Sequence, residues 1–393
     1  MLILLGNGGA EMKIATWILL IAAWMLSGCT TFRDVAYWAP HEPDALAGKT
    51  WLTRIEVSEL GPIFHEEQLA NVENALAKGD SNDPIVVFVH GWHHNASRDD
   101  DNLKGFGAFL GKLNSRLAED GVKVDRIDGI YVGWRGDAYD LIIPGEWLDF
   151  PTIWSRKAAS RRVGENGLRR IVDTLQRNAI NRPVVVVGHS LGGYALYSAV
   201  ERDLSGMATD GFEYIMLNPA VSELEMDDLG ARLKVQLARA GPAFLDDRPY
   251  RKLVVLQSMG DSAIGILHRI AFRGTPVGFS KEKQTHTARL CGPSNPCPAY
   301  GQSACLRTVP LRVPLGRTGL LLTARGGTAG ACGAANREPL WVVAGNETVS
   351  RDHNDILNDV QADALAGVVS DSVQNQIEYK VRATQKKGAS PSP

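Results

Sequence analysis

The chain has 393 residues, of which 44% are hydrophobic and 22% are charged, proportions that are typical of a globular protein. These values exclude a mostly disordered chain, a collagen-like fibre and a protein with many membrane spans. Lysine and arginine number 42 against 44 aspartate and glutamate residues, so the net charge is −2 and no basic excess favours nucleic-acid binding.

The N-terminus is predicted to be a targeting segment. An apolar run, Ile14–Leu26, follows Met12 and Lys13. It is shorter than the ~20 residues that span a bilayer, and it suits the core of a signal peptide. The string Leu-Ser-Gly-Cys, from Leu26 to Cys29, closes this run and resembles the lipobox of bacterial lipoproteins. The resemblance implies cleavage before the cysteine and diacylation of its sulfur.

We therefore expect residues 1–28 to be a signal peptide, with Met12 as the natural start, and Cys29 to carry a lipid. The mature protein would be anchored in the bacterial cell envelope. The outer membrane, facing the periplasm, is the expected place, and the inner membrane stays open. An uncleaved N-terminal anchor is the alternative.

The following sequence predicts a polar lead-in and then an α/β fold. Residues 29–80 form the lead-in, with a helix over Glu66–Lys78. Continuous apolar runs bounded by turn residues are typical of strands buried on both faces. The predicted strands are Pro84–His90, Ile127–Val132, Pro183–Val187, Tyr214–Leu217, Leu253–Leu256 and Leu340–Val343, and the predicted helices are Asn102–Leu117, Arg156–Asn178 and 191–204. Their alternation over residues 81–381 predicts a mostly parallel central sheet with helices on both faces.

One region interrupts this alternation. Residues 280–337 are rich in Gly, Pro, Ser and Arg, and they are interpreted as a cysteine-rich insertion before the last strand. Export implies an oxidising compartment, so an even number of cysteines predicts two disulfides. We expect Cys291–Cys297 and Cys305–Cys332 because these pairs close the most local loops, with the other two connectivities open. Zinc fits the spacing less well. Residues 382–393 are predicted to be a disordered tail.

The chemistry is indicated by Gly188–Gly193, whose sequence GHSLGG directly follows the strand Pro183–Val187 and opens a helix. A serine on a sharp strand-to-helix turn has its hydroxyl lifted above the sheet, and flanking glycines allow the strand and helix to pass closely. The helix N-terminus also directs N–H groups to the space beside the serine, where an oxyanion would form. The pattern therefore favours a nucleophile elbow at Ser190.

From Pro84 to the region of His353, with this insertion, the chain resembles the α/β-hydrolase family of esterases and lipases. The resemblance implies the α/β-hydrolase fold and a Ser–acid–His triad in that chain order. It assigns Ser190 as the nucleophile, Asp261 after the penultimate strand as the acid, and His353 after the last strand as the base. The oxyanion hole would consist of the N–H groups of Leu191 and Trp92.

Several alternatives stay open. The N–H of Gly91 or His93 would replace that of Trp92 after a small change of the loop. The rival bases are His268 and His286, and the rival acids are Asp227, Asp228 and Asp352. His90, His93 and His94 lack the H-x-H-x-D-H string of metallohydrolases, so no metal is expected.

The resemblance thus implies an envelope-anchored enzyme that cleaves carboxylic esters and needs no cofactor. Its partners would be a small-molecule or lipid ester and, through the anchor, a membrane, without nucleic acid; the oligomeric state is open. The alternatives are a non-catalytic lipoprotein that uses the fold as a binding platform, and a hydrolase of thioesters or amides. Aromatic residues near the predicted loops would line an acyl pocket or pack a lid: Trp92, Trp134, Tyr139, Trp147 and Trp154.

Overall fold

The structure is a computed structural model of the full chain. It describes residues 34–41, 43–137, 152–179, 181–240, 251–258, 274–291, 306–309, 319–324, 339–345, 353, 355–357 and 359–388. The predicted signal peptide and Cys29 lie outside these residues, as do Cys297, Cys305 and Cys332. The disulfide and lipidation predictions therefore stay predictions.

The described strands form one sheet of eleven strands in the order β1-β2-β4-β3-β5-β6-β7-β11-β8-β10-β9. The eight strands from β2 to β8 in this order run parallel to their neighbours, and β1, β9 and β10 pair antiparallel at the two margins. The bounds are β1 Asp44–Ala45, β2 Thr50–Val57, β3 Ile85–Val89, β4 Ile127–Trp134, β5 Val184–His189, β6 Glu213–Leu217, β7 Leu253–Ser258, β8 His286–Cys291, β9 Leu306–Val309, β10 Gly319–Ala324 and β11 Leu340–Gly345.

Helices cover both faces of the sheet. They are α1 Glu66–Leu76, α2 Asp101–Glu119, α3 Ile153–Val163, α4 Arg169–Asn178, α5 Leu191–Arg202, α6 Leu204–Thr209, α7 Glu223–Ala240 and α8 Asp359–Gly388, and a π-helical turn, Gly164–Leu168, joins α3 to α4. Alternate residues of a strand face opposite sides of a sheet. In β5, Val184 and Val186 accordingly pack with α1 and α3 to α7, whereas Val185 and Val187 pack with α2 and α8. The predicted mostly parallel sheet with two helical layers is confirmed.

Two regions differ from the sequence prediction. The predicted lead-in supplies β2 and α1 to the same sheet and core as the rest of the described chain. In the predicted insertion, the described residues form β8, β9 and β10, which extend the sheet beyond β11.

The C-terminal helix corrects the predicted tail. α8 continues through Gly388, past residue 382 where disorder was expected. Alanine, glutamine, lysine and arginine after Val381 are strong helix formers, so the polar composition of this segment suits a helix as well as a tail. No helix among the described residues is long and apolar enough to cross a membrane.

The parallel arrangement positions the site. Because β3, β5, β6, β7 and β11 run in the same direction, the loops that follow them emerge at one edge of the sheet. All of the predicted catalytic residues come after one of these strands. The segments that follow these strands therefore begin at the same edge of the sheet.

Candidate active site

Ser190 occupies a sharp turn between β5 and α5. Its φ of 54° and ψ of −117° lie in a region that residues other than glycine rarely adopt. The Ser190 N–H donates to the Leu217 carbonyl oxygen at 3.0 Å, and the Ser190 carbonyl oxygen accepts from Tyr194 N–H and Ala220 N–H at 3.1 Å each. The turn is thus held by the end of β6 and the first turn of α5, in the geometry expected of a nucleophile elbow.

The glycines beside Ser190 are required by close backbone packing. A Cβ on Gly192 would overlap the carbonyl oxygens of Val89 and His90 at the end of β3. A Cβ on Gly188 would collide with the backbone of Gly192 across the turn. Any side chain at these two positions would push the helix away from the strands that position the serine.

His353 meets Ser190 directly. The hydroxyl oxygen of Ser190 lies within hydrogen-bonding distance of Nε2 of His353, at 2.7 Å, and the His353 side chain is half-buried. β11, which ends at Gly345, is three positions from β5 in the sheet, which is about 14 Å at the usual strand spacing. His353, which follows β11 in the sequence, therefore lies against a residue that is three strands away in the sheet.

The predicted acid, Asp261, lies outside the described residues. β7 ends at Ser258 on the same sheet edge as Ser190, so the segment that carries Asp261 starts on the correct side. The rival acids Asp227 and Asp228 lie on the exposed face of α7, where Asp227 forms an ion pair with Lys283. Their positions are those of surface carboxylates.

The other candidates are less well placed or not described. Asp352 and His268 lie outside the described residues. His286 begins β8, on the far side of β11 from β7. Among the histidines after Ser190 that the structure describes, His353 is the one that contacts the Ser190 hydroxyl.

The segment after β3 lies against Ser190. A Cβ on Gly91 would be 2.8 Å from Cβ of Ser190 and 3.1 Å from Nδ1 of His189. The absence of a side chain at Gly91 lets the loop that carries Trp92 approach the serine this closely. The predicted oxyanion loop and the elbow are thus in contact.

The possible oxyanion donors differ in whether they are already used. The N–H of His93, which has a φ of 64°, donates to the Gly136 carbonyl oxygen at 3.2 Å. No backbone acceptor within the described ranges takes the N–H of Leu191 or of Trp92. Leu191 is the first residue of α5, where helical N–H groups have no partner within the helix. Leu191 and Trp92 therefore fit the role of oxyanion donors better than His93.

A buried histidine fixes this loop. His90, which is fully buried, donates from Nδ1 to the Gly91 carbonyl oxygen at 2.9 Å, and its Nε2 accepts from the Trp134 N–H at 3.0 Å. Its ring stacks on those of Trp134 and Tyr131. Burial lowers the pKa of His90 to about 4, against an opposing effect of Asp100. His90 is therefore neutral at pH 7, and Trp134 belongs to the core rather than to an acyl pocket.

The buried carboxylate of Asp100 stabilises the same loop. Asp100 caps α2 by accepting from the N–H groups of Asn102 and Leu103, and it also bonds to Asn95 N–H and His94 Nδ1. Burial alone would raise the pKa of Asp100, but the hydrogen bond from His94 and the other contacts lower it to about 2. Asp100 thus supplies the N-cap of α2.

We expect protonation of His90 to destabilise the fold below pH 6.5. Its pKa is about 4 in the folded chain and 6.5 in the unfolded one, so the unfolded chain binds more protons between these values. The stabilisation is complete above pH 6.5 and is lost as the pH falls to 4, a change of about 3 kcal/mol. Urea denaturation at pH 7, 5.5 and 4.5 measures it, and a His90→Gln variant should show a flatter pH dependence. Equal slopes for both proteins would contradict the prediction.

No three His, Cys, Asp or Glu side chains converge to hold a metal ion in the part of the chain that the structure describes. His90 and His94 instead use both ring nitrogens in hydrogen bonds to the protein. These two histidines therefore serve the loop structure.

The described chain is an α/β protein in which a serine on a strand-to-helix turn is hydrogen-bonded to a histidine. No protein-family model and no curated protein matches its sequence. Two solved structures of phospholipase PlaB from Legionella pneumophila, one in complex with thio-NAD, are similar to it with a TM-score of 0.29 and 14% identity. The likeness covers 77% of this chain but 63% and 64% of those chains, so this chain spans less than two thirds of their length. A likeness of this degree assigns no activity.

Sequence reasoning missed the role of His189. This residue is almost fully buried, and its Nε2 lies 2.9 Å from the carbonyl oxygen of His353. Its position directly before the serine in GHSLGG was the available signal. A contact with a residue that lies 164 positions away along the chain is visible only in the fold.

Proposed function

We propose that this chain is a serine hydrolase of the α/β-hydrolase type that cleaves carboxylic esters. The observation that carries the proposal is the hydrogen bond of 2.7 Å between the Ser190 hydroxyl and Nε2 of His353. Ser190 lies on a sharp turn, where its φ is positive. A nucleophile and a base within hydrogen-bonding reach are the first requirement of covalent acyl transfer.

In this mechanism the Ser190 oxygen attacks the ester carbonyl while His353 takes the hydroxyl proton at Nε2. The N–H groups of Leu191 and Trp92 donate to the oxyanion of the tetrahedral intermediate. His353 then gives its proton to the leaving alcohol, and a water molecule repeats the sequence to release the acid. Asp261 is proposed as the carboxylate that orients the imidazole and stabilises its charged form.

A fluorophosphonate probe tests the proposal, because it reacts covalently with an activated serine and needs no knowledge of the substrate. We expect labelling of Ser190 in the purified protein and no labelling of Ser190→Ala. Esters of graded acyl length, with matched thioesters and amides, then define the leaving group. A folded protein that is neither labelled nor active on any of these compounds would favour a non-catalytic binding platform.

We further propose that the enzyme is anchored in the bacterial cell envelope through a lipid on Cys29. Replacing Cys29 by serine should abolish lipidation and release the mature protein from membrane fractions, because one acyl-modified cysteine is its proposed attachment. Metabolic labelling with a fatty acid and carbonate washing of membranes measure the effect. Retention of the variant in washed membranes would show that another segment holds the protein there.

A further inference from the structure

His189 links the elbow to the residue proposed as the base. It ends β5, directly before Ser190, and only 1% of its surface is exposed. Its Nε2 lies 2.9 Å from the carbonyl oxygen of His353. A carbonyl oxygen only accepts, so Nε2 carries the proton and donates it, which fixes the neutral tautomer with an unprotonated Nδ1.

The surroundings of the His189 ring leave it little freedom. Its centroid is 5.0 Å from that of His353, and a Cβ on Gly91 would lie 3.1 Å from its Nδ1. The ring is therefore enclosed by the elbow, the end of β3 and the residue that meets the serine. Three elements of the site are in contact with one side chain.

His189 also stays uncharged. Its Nδ1 has no hydrogen-bond partner in the described part of the chain, so a proton there would bury an uncompensated charge. Burial, followed by the neighbouring His353, His94 and His90, lowers the pKa of His189 well below its usual value. His353 can therefore take up a proton during turnover without a second cation beside it.

We propose that His189 is a positioning residue that holds the main chain of His353, and through it the imidazole, in line with the Ser190 hydroxyl. This inference rests on the proposed role of His353 as the base. His353 is reached from β11, three strands from β5. The hydrogen bond from His189, at the end of β5, to the His353 carbonyl oxygen holds His353 beside Ser190.

Replacing His189 by methionine and by glutamine tests the proposal. The two side chains have nearly the same length, but only glutamine keeps an N–H that reaches the carbonyl of His353. His189→Met should lower kcat by about ten- to a hundredfold with KM nearly unchanged, because a displaced base slows the chemistry and not the binding. His189→Gln should stay within about threefold of the wild type.

His65→Met is the matched control. His65 is half-buried before α1, next to β2, which lies three strands from β5, and it makes no capping hydrogen bond. Its replacement should leave kcat unchanged. Should His189→Met fail to fold, His189→Asn takes its place, since this amide is one methylene too short to reach the carbonyl.

Hydrogen exchange of the peptide that contains His353 provides a readout that does not depend on activity. In His189→Met its amides should exchange about tenfold faster or more, while His189→Gln and His65→Met match the wild type. Unchanged exchange in His189→Met would overturn the positioning role. Equal losses of kcat in His189→Met and His189→Gln would also overturn it. If His189→Met exchanged faster but the wild-type protein hydrolysed no ester, the contact between His189 and His353 would be supported and the proposed function refuted.

Discussion

Replacing Ser190 by alanine is expected to reduce ester hydrolysis on the order of 10⁴-fold or more while the fold survives. The substitution removes the oxygen that is hydrogen-bonded to Nε2 of His353 and leaves the backbone bonds of the turn in place. Without that oxygen no acyl-enzyme forms, and residual turnover relies on the oxyanion donors and on binding. Steady-state hydrolysis and the melting temperature measure the two parts of the prediction.

A second serine on the same helix gives the matched control. Ser198 is buried two turns further along α5, and its hydroxyl donates to the Tyr194 carbonyl oxygen at 2.8 Å. Ser198→Ala removes a local hydrogen bond of the helix and should keep activity within about twofold of the wild type. Adding His353→Ala to Ser190→Ala should cost little more, because residues that act as a unit are not additive. Comparable turnover in Ser190→Ala would move the site elsewhere.

Most of the central strands could be predicted because each is a continuous apolar run; β4, which contains Asp128, is an exception. The run Pro183–Val187 contains four consecutive valines, and the structure extends it to the elbow as β5, Val184–His189. A strand that is covered on both faces is largely apolar, so this pattern needs no knowledge of its partners. The buried strands β3, β5, β6, β7 and β11 are predicted on this basis, with bounds correct to within two residues.

β2 could not be predicted in the same way because it contains buried charges. Arg54 and Glu56 interrupt its pattern, and both have partners among residues that come earlier in the sequence. Glu56 accepts from the N–H groups of Tyr37 and Trp38, and Arg54 pairs with Asp44. Only the folded chain supplies these partners, so the sequence of β2 has the composition of an exposed segment.

The residues of the site also divide into those that the local sequence predicts and those that depend on contacts made in the fold. The elbow at Ser190 is local, since its strand, turn and helix are adjacent in the sequence, and its geometry was predictable from GHSLGG. His353 is predicted from the family resemblance and from its place after the last strand. The supporting contacts of His90 and His189 depend on which strands become neighbours, and the sequence pattern contains no information on them.

Replacing Gly192 by alanine should lower both stability and activity, although the change adds a single methyl group. The new Cβ would overlap the carbonyl oxygens of Val89 and His90, which are backbone atoms that cannot rotate away. Either α5 or the end of β3 must shift, at a cost of about 1–3 kcal/mol or more. The shift separates Ser190 from the loop that carries Trp92, so a loss of about a hundredfold in kcat is expected beyond the loss of stability.

Gly111→Ala separates this effect from the general consequence of removing a glycine from a helix. Gly111 lies within α2, and no atom comes within 4 Å of a Cβ placed on it. Alanine there should stabilise the fold by about 0.5–1 kcal/mol, because glycine loses more conformational freedom on entering a helix. The two Gly→Ala changes are thus expected to have opposite signs in urea denaturation. A Gly192→Ala variant as stable and as active as the wild type would contradict the prediction. It would show that Ser190 stays beside the loop that carries Trp92 without the close approach of α5 to β3.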